Sequence, residues 1–156
     1  MRTSMKRILS FVPLSMVCAV VIFSCEKEGA CDEYNVSQSN GSKSHNFGNN
    51  CMQCHQSGGE GEGCFNVAGS VKNNLLTAPA TSGQVEFYTL PNGGGTLKYT
   101  VQIDSKGNFY STEAMSVTGL YPAIKNATGT MYMGSALSTG ACNSCHGNST
   151  GSLYAN

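Results

Sequence analysis

Hydrophobic and polar residues alternate along the middle of the chain, as they do in half-buried β-strands. The clearest case runs over 97–104, where Leu97, Tyr99, Val101 and Ile103 alternate with Lys98, Thr100, Gln102 and Asp104. Similar short runs lie at 65–71, 85–90, 108–112, 120–124 and 130–133. They predict about six strands in all. Because no stretch after residue 25 has a helical period, the pattern predicts a mainly β chain.

Turn residues separate these runs. Pro91-Asn92-Gly93-Gly94-Gly95 and Asp104-Ser105-Lys106-Gly107 are the clearest turns. The second turn predicts a hairpin between 97–104 and 108–112, and the glycine-rich run over 57–63 predicts a flexible connector. Short strands with frequent turns are typical of a small antiparallel β-sandwich. Over roughly 65–133 the order of Gly-x-Val, a Val-rich strand and Asp-x-x-Gly-x-Phe resembles sandwiches of the prealbumin type or the carboxypeptidase-regulatory type.

Residues 1–24 have the pattern of a secretion signal. Three basic residues, Arg2, Lys6 and Arg7, come first. The mostly apolar stretch over 8–23 is shorter than the roughly 20 residues that a transmembrane helix needs. Its end, Ile22-Phe23-Ser24-Cys25, resembles a bacterial lipobox. That resemblance implies an exported protein with lipid on Cys25, anchored to a bacterial membrane, the outer membrane being favoured, and facing the periplasm or the cell surface. An ordinary signal peptide with Cys25 as a plain thiol is the alternative.

Cleavage before Cys25 changes the charge balance of the chain. The 156 residues less 24 leave 132, the length of one ordinary domain. Nine basic and nine acidic residues become six and nine, a net charge of −3. This excludes the basic surface of a nucleic-acid binder. The charge-rich start predicts a flexible, lipid-anchored tether over residues 25–44, which leaves 45–156 as the functional domain.

Cysteine is unusually frequent, with eight in the chain. Cys18 lies in the predicted signal and Cys25 at its end, so six remain for the exported chain. Four of them lie in Cys51-Met52-Gln53-Cys54-His55 and Cys142-Asn143-Ser144-Cys145-His146. Both segments read C-x-x-C-H, which is the attachment signature of c-type haem. Two thiols at this spacing can form thioethers with the two vinyl groups of one porphyrin, and the adjacent imidazole then binds the iron.

The pair of motifs resembles exported dihaem c-type cytochromes of the bacterial lipoprotein type. This resemblance implies two covalent haem c groups, held by Cys51, Cys54, Cys142 and Cys145, with His55 and His146 as the proximal iron ligands. A single four-cysteine zinc site and disulfides within the motifs are the alternatives. Both leave the histidine after each cysteine pair unexplained.

A low-spin haem needs a second axial ligand, usually His or Met. His45 lies ten residues before His55 and resembles the upstream distal histidine of multihaem cytochromes. No further histidine is left for the second haem. Met131 and Met133, shortly before Cys142, are candidates for its distal ligand. An open iron, or a ligand from a partner chain, is the alternative.

Cys31 and Cys64 flank the first motif. Two spare thiols in an oxidising compartment usually pair, which predicts a Cys31–Cys64 disulfide. Spacing alone does not fix the connectivity, so two free thiols remain the alternative.

These observations predict an electron carrier rather than an enzyme. A dihaem cytochrome on a membrane would exchange single electrons with a redox protein partner, and association with other cytochromes would complete any missing ligand. One alternative is a haem enzyme with an open iron, such as a peroxidase or a small-molecule reductase. Another is a non-haem β-sandwich lipoprotein that binds a partner. The sequence contains no phosphate-binding loop and no Ser-His-Asp set.

Overall fold

Seven strands occur in the computed structural model, which describes residues 31–155; the predicted signal peptide and Cys25 lie outside this range. The strands are β1 (Val67–Lys72), β2 (Gln84–Tyr88), β3 (Leu97–Gln102), β4 (Asn108–Ser111), β5 (Tyr121–Lys125), β6 (Thr130–Tyr132) and β7 (Leu153–Tyr154). Two short 3₁₀ helices, Cys51–Gln53 and Cys142–Ser144, are the helical elements of the described residues. The six strands predicted from the pattern match β1 to β6.

The strands form two sheets. The larger has the order β3-β2-β5-β6, and every neighbouring pair is antiparallel. The smaller has the order β4-β1-β7, in which β4 is antiparallel to β1 and β7 is parallel to it. The prediction of a mainly β chain with antiparallel sheets is therefore confirmed. The parallel strand β7 has two residues and was not predicted.

The turn at residues 104–107 joins strands that belong to different sheets. Val101 of β3 lies opposite Val85 of β2, whereas Phe109 of β4 lies opposite Gly69 of β1. The predicted hairpin between 97–104 and 108–112 is therefore wrong. Both strands send apolar side chains into one core, and the chain crosses from one sheet to the other to bury them.

One hydrophobic cluster contains side chains from both sheets. Its fully buried members include Val67 and Val71 from β1, Val85 and Phe87 from β2, Val101 from β3 and Phe109 from β4. Alternate residues of β2 and β3 enter this cluster, as the period-2 pattern predicts. Strand β1 differs because residues 67–71 are all buried, so both of its faces are covered. This central strand is the support for both C-x-x-C-H segments.

Part of the predicted tether belongs to the fold. Val36 forms a bridge with Ser111 at the edge of β4. Ser37 is fully buried, and its hydroxyl donates to the carbonyl oxygen of Gln102 at 2.6 Å. Within the predicted tether over 25–44, residues 36–44 therefore contact the folded domain through hydrogen bonds.

A buried carboxylate lies on the larger sheet. Glu86 accepts hydrogen bonds from the Tyr88 hydroxyl at 2.5 Å, from Gln84 Nε2 at 2.6 Å and from Lys125 Nζ at 3.3 Å. Burial by itself raises the pKa of Glu86, but these three hydrogen bonds outweigh it and hold the pKa below the ordinary value of 4.5. The same contact raises the pKa of Tyr88 to about 12.

We expect Glu86→Gln to lower the free energy of unfolding by about 2 kcal/mol near neutral pH, because hydrogen bonds to a charged group are lost. The unfolded chain takes up the proton first as the pH falls below 4.5. This stabilisation is therefore present above that pH and is lost as the pH falls through the folded-state pKa. Urea unfolding at about pH 7 and about pH 3.5 measures it. The difference between wild type and variant should shrink at the lower pH, and the exposed control Glu33→Gln should show little effect.

Candidate haem-attachment sites

The first motif folds into a single 3₁₀ turn in front of β1. The backbone amides of Cys54 and His55 both donate to the carbonyl oxygen of Cys51, at 3.2 and 3.0 Å. Side chains three residues apart eclipse one another in this kind of helix. The turn therefore brings Cys51 and Cys54 to the same side, with His55 directly after them.

The second motif repeats this geometry. The amides of Cys145 and His146 donate to the carbonyl oxygen of Cys142, at 3.3 and 3.0 Å. Cys142 packs against β1, where Gly69 leaves room for it: a Cβ atom at Gly69 would lie 3.0 Å from the Cβ of Cys142. Ala68, the preceding residue of β1, joins a small cluster with Cys51 and Met52. Adjacent residues of a strand face opposite ways, so the two motifs pack on opposite faces of β1.

In both motifs, Nδ1 of the histidine lies next to a backbone carbonyl oxygen. His55 Nδ1 lies 2.9 Å from the carbonyl oxygen of Glu62, and His146 Nδ1 lies 2.9 Å from the carbonyl oxygen of Gly151. A carbonyl oxygen can only accept, so Nδ1 is the protonated nitrogen in each ring. Each Nε2 therefore presents its lone pair, the arrangement by which backbone carbonyls orient metal-binding histidines.

The glycine-rich loop after the first motif creates this orientation. It was predicted as a flexible connector over 57–63, but it folds back onto His55. The amide of Gly61 donates to the carbonyl oxygen of Cys54 at 2.9 Å, and a Cβ atom at Gly61 would lie 2.7 Å from His55 Nδ1. Glycine is therefore required here to let the loop backbone lie against the imidazole.

A cavity of about 910 Å³, lined by polar and apolar groups, lies beside the first motif. Its lining includes Cys51, Cys54 and His55 together with His45 and the charged residues Lys43, Glu60 and Glu62. The ring centres of His45 and His55 are 5.9 Å apart. Two imidazoles that each place a nitrogen about 2 Å from one metal ion have ring centres about 6 Å apart. The structure thus brings the predicted distal histidine to the first motif at a suitable separation.

Aromatic rings support His55 from the protein side. Phe65 stacks on its imidazole with ring centres 4.1 Å apart, and Tyr110 stacks on Phe65 at 5.0 Å. His55 is consequently buried, with 9 % of its surface exposed. This stack fixes the plane of the ring, which is what a ligand to a planar cofactor requires.

An apolar cavity of about 440 Å³ lies beside the second motif. Cys142, Cys145 and His146 contribute to its lining, as do Met131 and Met133. In the part of the chain that the structure describes, no Asp, Glu, Lys or Arg lines this cavity. Met131 and Met133 are two residues apart, so alternation along a strand places their side chains on the same face, and both line the cavity.

The cysteines of both motifs are free thiols in the structure. Burial raises the pKa of Cys51 above its ordinary value and that of Cys142 to about 12. Protonated thiols are poor nucleophiles in disulfide exchange, so these two thiols are protected from mispairing. Within residues 31–155 no three His, Cys, Asp or Glu side chains are placed to share a metal ion. The four-cysteine zinc site therefore finds no support.

The residues present fit the requirements of haem c. Each motif supplies two free thiols on one side of a turn, an imidazole with an available Nε2, and a cavity of the size that cofactors occupy. The first site adds His45, and the second adds Met131 and Met133.

The remaining cysteines pair with each other. A disulfide joins Cys31 to Cys64, with their Cα atoms 4.6 Å apart. This is the pairing that the cysteine count favoured over two free thiols. The predicted lipidation site, Cys25, lies outside the described residues. Within residues 31–155, neither 3₁₀ helix has the length or the hydropathy of a membrane span.

Several residues that shape the sites carry no recognisable sequence signal. Glu62 and Gly151 act through their backbone carbonyls, which any residue provides. Phe65 and Tyr110 fit the strand pattern, which predicts residues of the sheet core or residues that pack on a haem. Asn143 occupies a variable position of the second motif, although its side chain is buried.

The chain matches no protein-family model, no curated protein and no solved structure. The two motifs and their geometry therefore carry any assignment of function.

Proposed function

We propose that this protein is a dihaem c-type cytochrome, an exported lipoprotein that exchanges single electrons with a redox protein partner. One observation carries the proposal: both C-x-x-C-H segments adopt the same turn, with Nδ1 of the histidine 2.9 Å from a backbone carbonyl oxygen. Two segments far apart in the sequence acquire the same side-chain arrangement, and both place it beside a cavity. Structural disulfides and a four-cysteine zinc site would both leave the two histidines unused.

The cysteines hold the cofactor covalently. Each thiol would add across one vinyl group of the porphyrin: a carbon–sulfur bond forms, the thiol proton goes to the neighbouring vinyl carbon, and no group leaves. His55 and His146 bind the metal through Nε2, with the orientation fixed by the carbonyl groups of Glu62 and Gly151. When bound, haem supplies an iron centre that gains or loses one electron at a time.

The surroundings of the two sites favour different redox behaviour. At the first site His45 provides a second imidazole, and Glu60 and Glu62 outnumber Lys43 in the cavity lining, so both the ligand and the net negative charge favour the oxidised, more positive iron. At the second site the lining is apolar, and Met131 or Met133 is the candidate distal ligand. Thioether ligation and an apolar surround favour the reduced iron. The second haem is therefore the one with the higher potential.

We extend the proposal to the type of β-sandwich, the membrane anchor and the redox partner. The two sheets are of the prealbumin or carboxypeptidase-regulatory sandwich type. Lipid on Cys25 attaches the chain to a bacterial membrane, with the domain facing the periplasm or the cell surface. The net charge of −3 after cleavage favours a redox partner with a basic patch, and larger cytochromes are candidates for association.

The intact mass of the purified protein tests the proposal directly. After co-expression with a c-type haem maturation system, we expect a mass increase of two haems and a pyridine haemochrome spectrum of the c type. Changing Cys51 and Cys54 to alanine should remove one haem, and changing Cys142 and Cys145 should remove the other. The matched control, with Cys31 and Cys64 changed to alanine, should retain both. A colourless wild-type protein would contradict the proposal and favour a non-haem binding lipoprotein.

One observation favours a second candidate, a haem enzyme with an open iron. Among the described residues lining the second cavity, His146 is the single histidine, so this lining offers no second imidazole as a distal ligand. Rapid binding of carbon monoxide to the reduced protein would support this candidate. If carbon monoxide binds slowly or not at all, the iron is fully ligated and the protein is an electron carrier.

A further inference from the structure

Asn143 connects the two motifs. It lies between Cys142 and the exposed Cys145, and it is itself buried with 8 % of its surface exposed. Its Oδ1 accepts a hydrogen bond from the backbone amide of Ser70 in β1 at 2.7 Å. Its Nδ2 donates to the carbonyl oxygen of Gly48 at 3.0 Å. One side-chain amide therefore joins the second motif, the central strand and the segment that precedes the first motif.

The segment over 44–48 carries His45 and is held at both ends. At its start, Asn108 Nδ2 donates to the Ser44 hydroxyl at 2.9 Å, and Lys106 Nζ donates to the Ser44 carbonyl oxygen at 2.8 Å. At its end, the Gly48 amide donates to the Ser70 hydroxyl at 2.9 Å. The Gly48 carbonyl oxygen accepts from Asn143, as described above. His45 itself is exposed, so these anchors, rather than packing of its side chain, fix its position.

The contact requires both halves of an asparagine amide. The carbonyl half accepts from Ser70, and the NH₂ half donates to Gly48. Aspartate would keep the acceptor and lose the donor. The next residue of the motif, Ser144, behaves differently, because its hydroxyl donates to the carbonyl oxygen of Ala141 within the same turn at 2.6 Å.

We propose that Asn143 is a positioning residue that couples the two haem sites. It belongs to the motif of the second site, and by anchoring Gly48 it holds His45 at the first site. Seating of the second motif on β1 thus stabilises the distal ligand of the first haem. The inference rests on the proposed function and names a residue through which one site acts on the other.

Asn143→Asp in the full, haem-loaded protein provides the test. We expect hydrogen–deuterium exchange in peptides covering 44–50 to be roughly fivefold faster, the effect of losing one hydrogen bond. The low-spin signal of the first haem, identified by its absence in His45→Ala, should decrease. Ser144→Ala is the matched control in the same motif and should change neither quantity.

A second variant reaches the same anchor without touching the motif. Ser70→Ala removes the acceptor of the Gly48 amide and the hydroxyl that donates to Asn108 Oδ1 at 2.6 Å, so it loosens both ends of the segment and should give the same loss of first-haem signal. If either variant speeds exchange over 44–50 and leaves the first-haem spectrum and potential as in wild type, the inference is overturned. It is equally overturned if Asn143→Asp changes the second haem alone. A wild-type mass without haem would instead contradict the proposed function, so the two failures are distinguishable.

Discussion

Replacing Gly140 by alanine is expected to destabilise the folded protein by about 3 kcal/mol. A Cβ atom at this position would overlap the carbonyl oxygen of Asn66 and lie 2.9 Å from the Cα of Val67. These are backbone atoms, so no rotation of a side chain relieves the overlap. The carbonyl oxygen of Gly140 also accepts the amide of Ala68 at 3.0 Å, which holds the chain before Cys142 against β1.

The effect should be seen in two measurements. The urea midpoint of unfolding should fall, and the intact mass should show partial loss of the second haem, because the segment before Cys142 is displaced. Gly134→Ala is the matched control, since a Cβ atom there has no neighbour within 4 Å. Its free energy of unfolding should stay within about 1 kcal/mol of wild type. Equal midpoints for the two variants would show that the chain before Cys142 is not closely packed on β1.

Replacing His45 by methionine is expected to raise the midpoint potential of the first haem by on the order of 0.1 V, a part of the roughly 0.8 V that axial ligation spans. An imidazole stabilises the oxidised iron more than a thioether does, so exchanging the ligand favours reduction. The 5.9 Å separation of the His45 and His55 rings is the structural basis of this expectation. His45→Ala should instead give a high-spin first haem.

Spectroelectrochemical titration measures both effects. The midpoint potential of the second haem serves as an internal reference, because a substitution at residue 45 should not change it directly. Ser42→Ala, an exposed neighbour in the same segment, controls for disturbance of the backbone. An unchanged first potential in His45→Met would mean that another group, or water, completes the first iron.

The strands were predictable because their pattern is local. Residues 97–102 alternate between core and surface, and such alternation is visible in the sequence alone. The pairing of the strands was less predictable, since the turn at Asp104 looks the same whether the chain returns within a sheet or crosses to another. The two residues of β7 are too few to form a pattern, and they pair with β1 because the second motif brings the chain back to it.

The residues of the sites were predictable to the extent that chemistry fixes their spacing. The C-x-x-C-H motifs identify the cysteines and both motif histidines, and His45 stood out because histidine is rare in this chain. The carbonyl groups that orient the imidazoles, and the buried amide of Asn143, arise from long-range packing. Such contacts leave no local pattern in the sequence, because their partners are far apart along the chain: Asn143 and Gly48 lie 95 residues apart.

The disulfide between Cys31 and Cys64 spans 33 residues and encloses His45 and the whole first motif in a covalent ring. Exposed stretches of that ring, such as 38–40 and 56–58, are accessible to proteases. A single cut there opens the ring and leaves both pieces joined through sulfur. Separation of the amino-terminal piece from the sheets therefore requires reduction as well as cleavage.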